Sequence, residues 1–179
     1  MRQIMLGVSI FTLLLITASS CKKSTLNPGT TNAAKVSNEW WVSTYLRGVY
    51  EEGPGKLSTY NTSENDDSIW VDDLDPYATT PTYAIWGFKC KAHYDAVALT
   101  FATAAKGSAN YYYPDSTNPS ITAPSVIIFD GKVLHNAAKS PTGITTDSIY
   151  FNAVFADDPT DTFNVQGYAR TNFSADDAY

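Results

Sequence analysis

The chain has 179 residues, with 12 Lys and Arg against 18 Asp and Glu, so its formal net charge is −6. An acidic chain without a basic stripe is a poor ligand for nucleic acids, because that affinity comes largely from Lys and Arg neutralising phosphates. Aromatic residues make up 13% of the sequence, whereas disordered chains contain few of them. The composition argues against a nucleic-acid-binding protein and against a disordered chain, and the length suits one folded domain.

The N-terminal residues have the features of a secretion signal. Residues 1–3 carry one positive charge, and the apolar run at residues 4–16 is shorter than the roughly 20 residues that a membrane-spanning helix needs. Small residues follow and lead directly to Cys21, an arrangement typical of a lipobox. We therefore expect residues 1–20 to be a signal peptide and Cys21 to carry lipid. The alternative is simple secretion with an incidental cysteine.

Residues 22–38 are rich in Ser, Thr, Asn, Ala and Gly and show no apolar periodicity, which indicates a flexible tether. The folded domain is expected at residues 39–179. If Cys21 carries lipid, Cys90 has no cysteine partner in the chain, so no intrachain disulfide is expected. With two histidines in the sequence, a structural zinc site is not expected either, and no cofactor is assigned.

Beyond residue 38, the dominant pattern is a period-two alternation of β-branched and aromatic residues. Capped windows with helical periodicity are absent, so the fold class is all-β, an antiparallel sandwich or barrel. Asp130-Gly131 predicts a tight hairpin turn, and residues 72–84 and 104–124 are expected to be long loops. About eight strands are predicted in total, at or near residues 40–50, 68–71, 85–94, 97–101, 125–129, 132–135, 146–157 and 163–170.

Aromatic side chains are the strongest candidates for a ligand site, because small-molecule pockets are mostly apolar and aromatic. We assign six of them to a ligand pocket: Trp40, Trp70, Trp86, Tyr111, Tyr112 and Tyr113. The alternative is that the three tryptophans belong to a filled core. Arg47 and Arg170 would suit the carboxylate of a fatty acid, but the alternation places both of them with the polar residues.

No catalytic residue is assigned. The sequence lacks the Gly-x-Ser-x-Gly elbow of many serine hydrolases. A grouping of Ser140, His135 and Asp147 is conceivable, although Ser140 opens a Ser-Pro-Thr-Gly segment that is typical of a turn. Cys90 alternates with apolar residues and is expected to be a buried, inert thiol.

Four pairs of adjacent acids occur, at residues 66–67, 72–73, 157–158 and 176–177. Adjacent carboxylates on a strand point to opposite faces, which does not suit the acid and base of a glycosidase. The pairs are interpreted as solvated turn residues. A weak calcium site at the first two pairs is the alternative, because oxygen-rich loops suit that ion.

Several segments, taken together, resemble one family of lipoproteins. They are KLSTYNTS at residues 56–63, DDSIWVDD at 66–73, DGKVL at 130–134, SPTG at 140–143, DSIYF at 147–151 and GYARTNF at 167–173. These segments are similar to a Bacteroidetes lipoprotein family labelled lipid-binding putative hydrolase, whose members resemble lipocalins. The resemblance implies a single antiparallel lipocalin-like β-barrel. The hydrolase part of the label transfers no catalytic residue to this sequence.

The same resemblance implies two further expectations. Many exported Bacteroidetes proteins carry O-linked glycans on Asp-Ser/Thr-apolar triplets, which makes Ser68, Ser116 and Ser148 candidate glycosylation sites. Surface-export signals in these bacteria usually place acidic residues after the lipidated cysteine, whereas Lys22 and Lys23 follow Cys21 here. The expected location is therefore the outer membrane, facing the periplasm.

The function expected from the sequence is that of a lipid-anchored envelope barrel, which binds a small, apolar, lipid-like ligand without catalysis. One alternative is an envelope interaction module that docks a protein or glycan through its long loops. The other is a hydrolase, as the family label suggests. A continuous internal cavity would favour the first function over the second.

Overall fold

A computed structural model describes residues 30–64, 66–73, 86–112 and 124–178. Its eight strands form a closed antiparallel barrel in which each strand pairs with its neighbours in sequence and the last pairs with the first. The all-β class and the predicted barrel are thus confirmed. The strands are β1 (Asn38–Leu46), β2 (Val49–Asn61), β3 (Ser68–Asp72), β4 (Lys89–Asp95), β5 (Thr100–Ala102), β6 (Val126–Lys139), β7 (Thr145–Phe155) and β8 (Asp158–Ala169).

The predicted signal peptide and Cys21 lie outside the described residues, as do Tyr113, Ser116 and most of the first long loop. Among the described residues, no helix is long and apolar enough to span a membrane.

The two ends of the barrel differ in their connections. Odd-numbered strands run from the end that we call lower to the end that we call upper, and even-numbered strands return. The lower end carries the residues before β1, the turns after β2, β4 and β6, and the segment after β8. The upper end carries the short β1–β2 and β7–β8 turns and both long connections, after β3 and after β5.

The core consists of the inward-facing members of each alternation. Along β7, Ile149, Phe151 and Ala153 are buried as predicted, and along β8 Val165 and Ala169 join them. These side chains belong to one buried cluster that draws residues from all eight strands. Each fully buried Val, Ile or Phe side chain contributes about 1.5–3 kcal/mol to folding, so the barrel interior is the main source of stability.

The predicted hairpin at Asp130-Gly131 is wrong. β6 continues through both residues, and the register against β7 shifts between Phe129 and Lys132, which marks a β-bulge. Asp130 has a φ of 55°, and a Cβ on Gly131 would lie 2.4 Å from the carbonyl oxygen of Phe101. The dipeptide supplies the positive φ and the close approach that this bulge needs, which are the same properties that a hairpin turn would have used.

Several strand boundaries also differ from the prediction. No strand was predicted at residues 51–61, which belong to β2, and β4 begins at Lys89 instead of residue 85. The strand expected at residues 40–50 ends at Leu46, because Arg47 and Gly48 both adopt positive φ and turn the chain into β2. The strand expected to begin at Val97 begins at Thr100. The carboxylate of Asp95 accepts hydrogen bonds from the backbone N–H groups of Val97 and Ala98, which fixes a turn there.

Part of the second long loop forms the barrel wall above the short strand β5. The Ser108 hydroxyl accepts a hydrogen bond from the N–H of Lys91, while the Ser108 backbone bridges to Val126 on β6. The Asn110 side chain accepts a hydrogen bond from the N–H of Lys89. Side-chain and backbone hydrogen bonds of this loop therefore take the place of a regular strand between β4 and β6, an arrangement that no alternation pattern reveals.

The packed part of the chain begins before residue 39. A 3₁₀ helix, η1 (Asn32–Lys35), lies within the segment expected to be a tether, and Ala33 and Val36 are buried in the core. The carbonyl of Val36 accepts a 2.5 Å hydrogen bond from the hydroxyl of Thr59 on β2. Two apolar residues in a polar segment are too few to produce periodicity, so the sequence did not reveal this contact.

The closure of the barrel predicts the effect of substituting Gly167. Gly167 faces Val42 across the β1–β8 pair, and a Cβ at this position would lie 2.1 Å from the carbonyl oxygen of Trp41. Gly167→Ala must separate the two strands, so it should destabilise the fold by about 1–3 kcal/mol. The urea unfolding midpoint measures this loss. Gln166→Ala, on the exposed neighbour, is the control, and equal midpoints for the two variants would contradict the prediction.

Candidate functional site

The six aromatic residues predicted to line one pocket lie on two sides of the barrel wall. Trp40 and Trp86 face the interior, whereas Trp70, Tyr111 and Tyr112 lie on the outer side, near the lysines of β4. Tyr113 lies outside the described residues. Within the described part of the chain, these aromatic residues therefore form two separate groups with different chemical surroundings.

The interior group lies at the upper end of the barrel. We call Trp86, Phe88, Phe155 and Phe163 the upper aromatic cluster. The ring centre of Trp86 lies 5.1 Å from that of Phe155 and 5.0 Å from that of Phe163. The ring centres of Phe88 and Phe155 are 5.8 Å apart. Phe88 is fully buried, but Trp86 and Phe163 are only partly buried. The cluster thus offers apolar aromatic surface at the end of the barrel where both long connections lie.

A buried carboxylate holds Trp86 in this position. One oxygen of Asp73 accepts hydrogen bonds from the backbone N–H groups of Trp86, at 2.6 Å, and Gly87, at 3.0 Å. The N–H of Asp73 donates to the carbonyl of Phe88 at 2.8 Å. These three bonds fasten the residues that precede β4 to the end of β3. The interpretation of residues 72–73 as solvated turn acids is wrong, because both side chains are buried.

Trp40 belongs to the closed part of the core. Its side chain is fully buried near the lower end, and its indole N–H donates a 2.9 Å hydrogen bond to the hydroxyl of Thr59. The same hydroxyl donates to the carbonyl of Val36. Trp40 therefore links β1, β2 and the residues after η1, a structural role that leaves no exposed face for a ligand.

The outer group surrounds Trp70 on β3. The ammonium groups of Lys89 and Lys91 lie 4.9 Å and 5.4 Å from the centre of its ring, and the ring of Tyr111 meets it edge-on at 4.6 Å. Lys91 also pairs with Glu64 at 2.9 Å. These contacts occupy the surroundings of Trp70 and attach the wall segment that contains Tyr111 to the barrel.

Asp72 is the centre of the hydrogen bonds in this outer group. Its carboxylate accepts hydrogen bonds from the hydroxyl groups of Tyr60, at 2.5 Å, and Tyr112, and the ammonium of Lys89 lies 3.5 Å away. Burial raises the pKa of Tyr60, and the bond to Asp72 raises it further. Burial alone would lower the pKa of Lys89, but its contacts with Tyr60 and Asp72 raise it instead. The phenol stays protonated and the amine stays charged at neutral pH.

The conceivable triad at residues 135–147 is only partly assembled. Nδ1 of His135 lies 2.9 Å from a carboxylate oxygen of Asp147. The hydroxyl of Ser140 instead accepts a hydrogen bond from the N–H of Ile144 and lies 3.4 Å from the hydroxyl of Thr142. Ser140 is buried and has the contacts of a turn residue rather than those of a nucleophile.

A contact between a serine and a histidine that was not predicted from the sequence lies on the outer wall. The hydroxyl of Ser68 is 3.4 Å from Nδ1 of His93, which is too long for a firm hydrogen bond. Within the described ranges, no carboxylate lies within hydrogen-bond distance of His93 to orient the ring, as a triad requires. Ser68 is also buried, which argues against it both as a nucleophile and as a glycosylation site in the folded protein.

The acids do not assemble a calcium site in the part of the chain that the structure describes, where no three His, Cys, Asp or Glu side chains cluster. Asp66 is exposed and accepts a hydrogen bond from the hydroxyl of Thr62, whereas Asp72 and Asp73 are buried in the contacts described above. The expectation for Cys90 is confirmed: the thiol is buried, and burial raises its pKa.

Asp176 also departs from the expected solvated acid. It is buried beside η2 (Ser174–Asp176), where its carboxylate accepts hydrogen bonds from the N–H of Thr142, at 2.8 Å, and the hydroxyl of Thr171, at 2.6 Å. Burial alone would raise the pKa of Asp176, but these hydrogen bonds lower it to about 2. Asp177 pairs with Arg170 and accepts from the indole of Trp41. The two acids fasten the C-terminal segment to the barrel.

A groove of about 660 Å³ lies beside the short strand β5. Its lining includes an imidazole, two carboxylates and an ammonium group, those of His93, Asp95, Asp130 and Lys132. Burying an acyl chain among charged groups costs desolvation energy that apolar contacts do not recover. The groove suits an apolar ligand less well than the upper aromatic cluster does.

The comparison with known families bears on which ligand this barrel takes. The model of a family described as lipid-binding putative hydrolase matches residues 25–174. The chain belongs to this family. Its matched region contains all eight strands, the upper aromatic cluster and the outer group. No curated protein matches the chain.

The description of the lipid-binding putative hydrolase family has two parts, lipid binding and hydrolysis, and the structure agrees with them to different degrees. A closed barrel with an aromatic cluster at one end is consistent with binding a lipid ligand. The Ser68–His93 contact and the His135–Asp147 pair, in contrast, lack the accessible nucleophile and the complete geometry that serine hydrolysis requires. The lipid-binding half of the description therefore guides the functional proposal.

The hydrogen bonds of Asp73 predict that this residue positions Trp86. Asp73→Ala leaves two backbone N–H groups without their acceptor, so it should destabilise the protein by about 1–3 kcal/mol and shift the tryptophan emission to the red. Urea unfolding and fluorescence spectra measure the two effects. Asp67→Ala, at an exposed acid on the β2–β3 turn, is the control. An Asp73→Ala variant with unchanged emission would contradict the positioning role.

The lowered pKa of Asp176 predicts a specific loss of stability in acid. Its pKa is about 2 in the folded protein and about 3.9 in an unfolded chain, so its stabilising contribution is present above the unfolded value and is lost as the pH falls through the folded value. The urea midpoint should fall between pH 4 and pH 2, and Asp176→Asn should reduce that fall. Asp157→Asn, at an exposed acid, should not. If the urea midpoints of the wild type and Asp176→Asn fall equally between pH 4 and pH 2, Asp176 is not the source of the loss of stability.

Proposed function

We propose that this protein is a cell-envelope carrier that binds the acyl chain of a lipid-like ligand at the upper aromatic cluster, without catalysing a reaction on it. The observation that carries the proposal is the partly buried Trp86 ring, held by Asp73 over the end of a closed barrel. Membership of a family described as lipid-binding supports the ligand class. Acyl chains pack well against aromatic faces that are already partly removed from water.

Recognition in this proposal depends mainly on the apolar part of the ligand. The two arginines considered as partners for a fatty-acid carboxylate are engaged elsewhere: Arg47 pairs with Asp161 at 2.8 Å, and Arg170 pairs with Asp177 and Glu39. Their contacts lie on the polar side of the wall, as the alternation predicted. We therefore expect affinity to depend strongly on chain length and weakly on the headgroup.

The proposed location follows from the N-terminal sequence. An acylated Cys21 would anchor the protein in the outer membrane with the barrel in the periplasm, because several acyl chains together give the stable anchoring that one chain cannot. The intact mass of the native protein tests this part separately. Removal of residues 1–20 together with added acyl mass supports it, and an unmodified Cys21 contradicts it.

A second candidate function is docking of a protein or glycan on the outer wall. The observation in its favour is that Tyr111 is exposed although it contacts Trp70. Exposed aromatic residues in loops often contact partners. The two functions differ in their requirements, because the carrier needs Trp86 and docking needs Tyr111.

Fluorescence quenching by a brominated fatty acid tests the carrier function. Residues 21–179 with Cys21→Ser should bind the fatty acid with quenching of tryptophan emission, because bromine quenches only rings that it approaches. Trp86→Phe should remove most of the quenching. Trp70→Phe, at the other partly buried tryptophan, should leave it in place. Native mass spectrometry of the same protein should show about one fatty acid for each chain.

Two outcomes would contradict the carrier proposal. Quenching that survives Trp86→Phe but disappears in Trp70→Phe would move the ligand to the outer wall. An absence of both quenching and bound lipid would leave the upper aromatic cluster without the proposed ligand. The docking function would then be tested by comparing partner binding by the wild type and by Tyr111→Ala.

A further inference from the structure

The lower end of the barrel carries exposed apolar side chains on three separate segments. Val97 on the β4–β5 turn is 94% exposed, and Phe173 after β8 is 60% exposed. Ile144 on the β6–β7 turn is also exposed. Each follows an even-numbered strand (β4, β6 or β8), and these strands all finish at the lower end, so the three residues lie at the same end of the molecule. The upper end also exposes Val49 and Tyr50, at the start of β2, so exposure alone does not distinguish the two ends, whereas the path of the chain toward Cys21 does.

The chain leaves the barrel toward Cys21 at this same end. The contacts of Ala33 and Val36 fix η1 beside the start of β1 and the end of β2, and Thr30 is exposed. Residues 22–29 extend at most about 30 Å, which is about the length of a nine-residue strand such as β1. The link to an anchor at Cys21 therefore begins at the lower end and is long enough for that end to reach the membrane.

We propose that the lower end is a membrane-docking surface, in which Val97, Ile144 and Phe173 enter the interfacial layer of the bilayer that anchors the protein. This inference rests on the acylation of Cys21 in the proposed function. The exposed Asp66 and Asp67 on the β2–β3 turn lie at the same end, and they would be repelled by anionic headgroups. Exposed Lys35 on η1 lies at this end as well and carries the opposite charge, so a zwitterionic bilayer is used to test contact through the apolar side chains.

This orientation has a consequence for the proposed carrier. When the lower end contacts the anchoring membrane, the upper aromatic cluster faces away from it. The ligand then enters and leaves from the side opposite the anchor. The barrel would exchange lipid with a partner or a second membrane, rather than with the bilayer in which it is held.

Two matched substitutions test the orientation. Val97→Trp at the lower end and Val49→Trp at the upper end replace the same residue type at exposed positions. Each variant of residues 21–179 is attached through Cys21 to a maleimide lipid in phosphatidylcholine vesicles, and the buried Cys90 is protected from the reagent. Vesicles with brominated acyl chains should quench the tryptophan introduced at position 97 and leave that at position 49 unchanged, relative to unbrominated vesicles.

Other results would overturn the inference. Equal quenching at both positions, stronger quenching at position 49, or no added quenching at position 97 would each exclude a docked lower end. A second pair of measurements uses Phe173→Asp in the Val97→Trp protein, which should reduce the quenching at position 97. Because the chemical link to lipid replaces natural acylation, this experiment reports orientation alone. The intact mass of the native protein reports whether the proposed anchor exists.

Discussion

The pairing of β8 with β1 is the contact on which the rest of the structure depends. It removes the two open edges that an eight-stranded sheet would otherwise expose. It also turns the inward faces of all eight strands toward one another, so their apolar side chains form a single buried cluster. The closure requires Gly167, because the backbone of Trp41 occupies the space where a side chain would begin. The upper aromatic cluster and the outer group are positioned by this closed wall.

Two adjacent buried acids connect that wall to the candidate site. Asp72 binds two tyrosine hydroxyls on the outer side, and Asp73 binds the backbone of the residues that carry Trp86. A buried carboxylate is costly unless hydrogen bonds or opposite charges satisfy it, and here both compensations are present. The end of β3 thus fixes both the wall segment at Tyr112 and the ring that we propose contacts a ligand. Structural and functional requirements converge on one dipeptide.

The candidate site was only half visible in the sequence. Alternation indicated that Trp86 is an aromatic residue of an inward face, because Phe88, Cys90 and Ala92 continue the same pattern, and the fold places it against the core. Trp70 and Tyr111 have the same chemistry, yet they lie on the outer wall with two lysines. Residue type cannot distinguish the two sides of a closed sheet where a strand is short. The burial of Asp73 was missed for a related reason, because a sequence does not distinguish a buried acid from a solvated one until the hydrogen-bond partners are known.

Local patterning was enough to establish the all-β class, most of the strands and their inward faces, because side-chain alternation along a strand has a fixed period of two. It was not enough at Asp130-Gly131, where a bulge and a hairpin need the same backbone conformation, or at Val36, whose burial depends on Thr59 far along the chain. The closure of the sheet, the wall built from Ser108 and Asn110, and the separation of Trp86 from Trp70 all arise from contacts between residues distant in sequence. Such contacts exist only after the strands have found their register, so the folded barrel decides them.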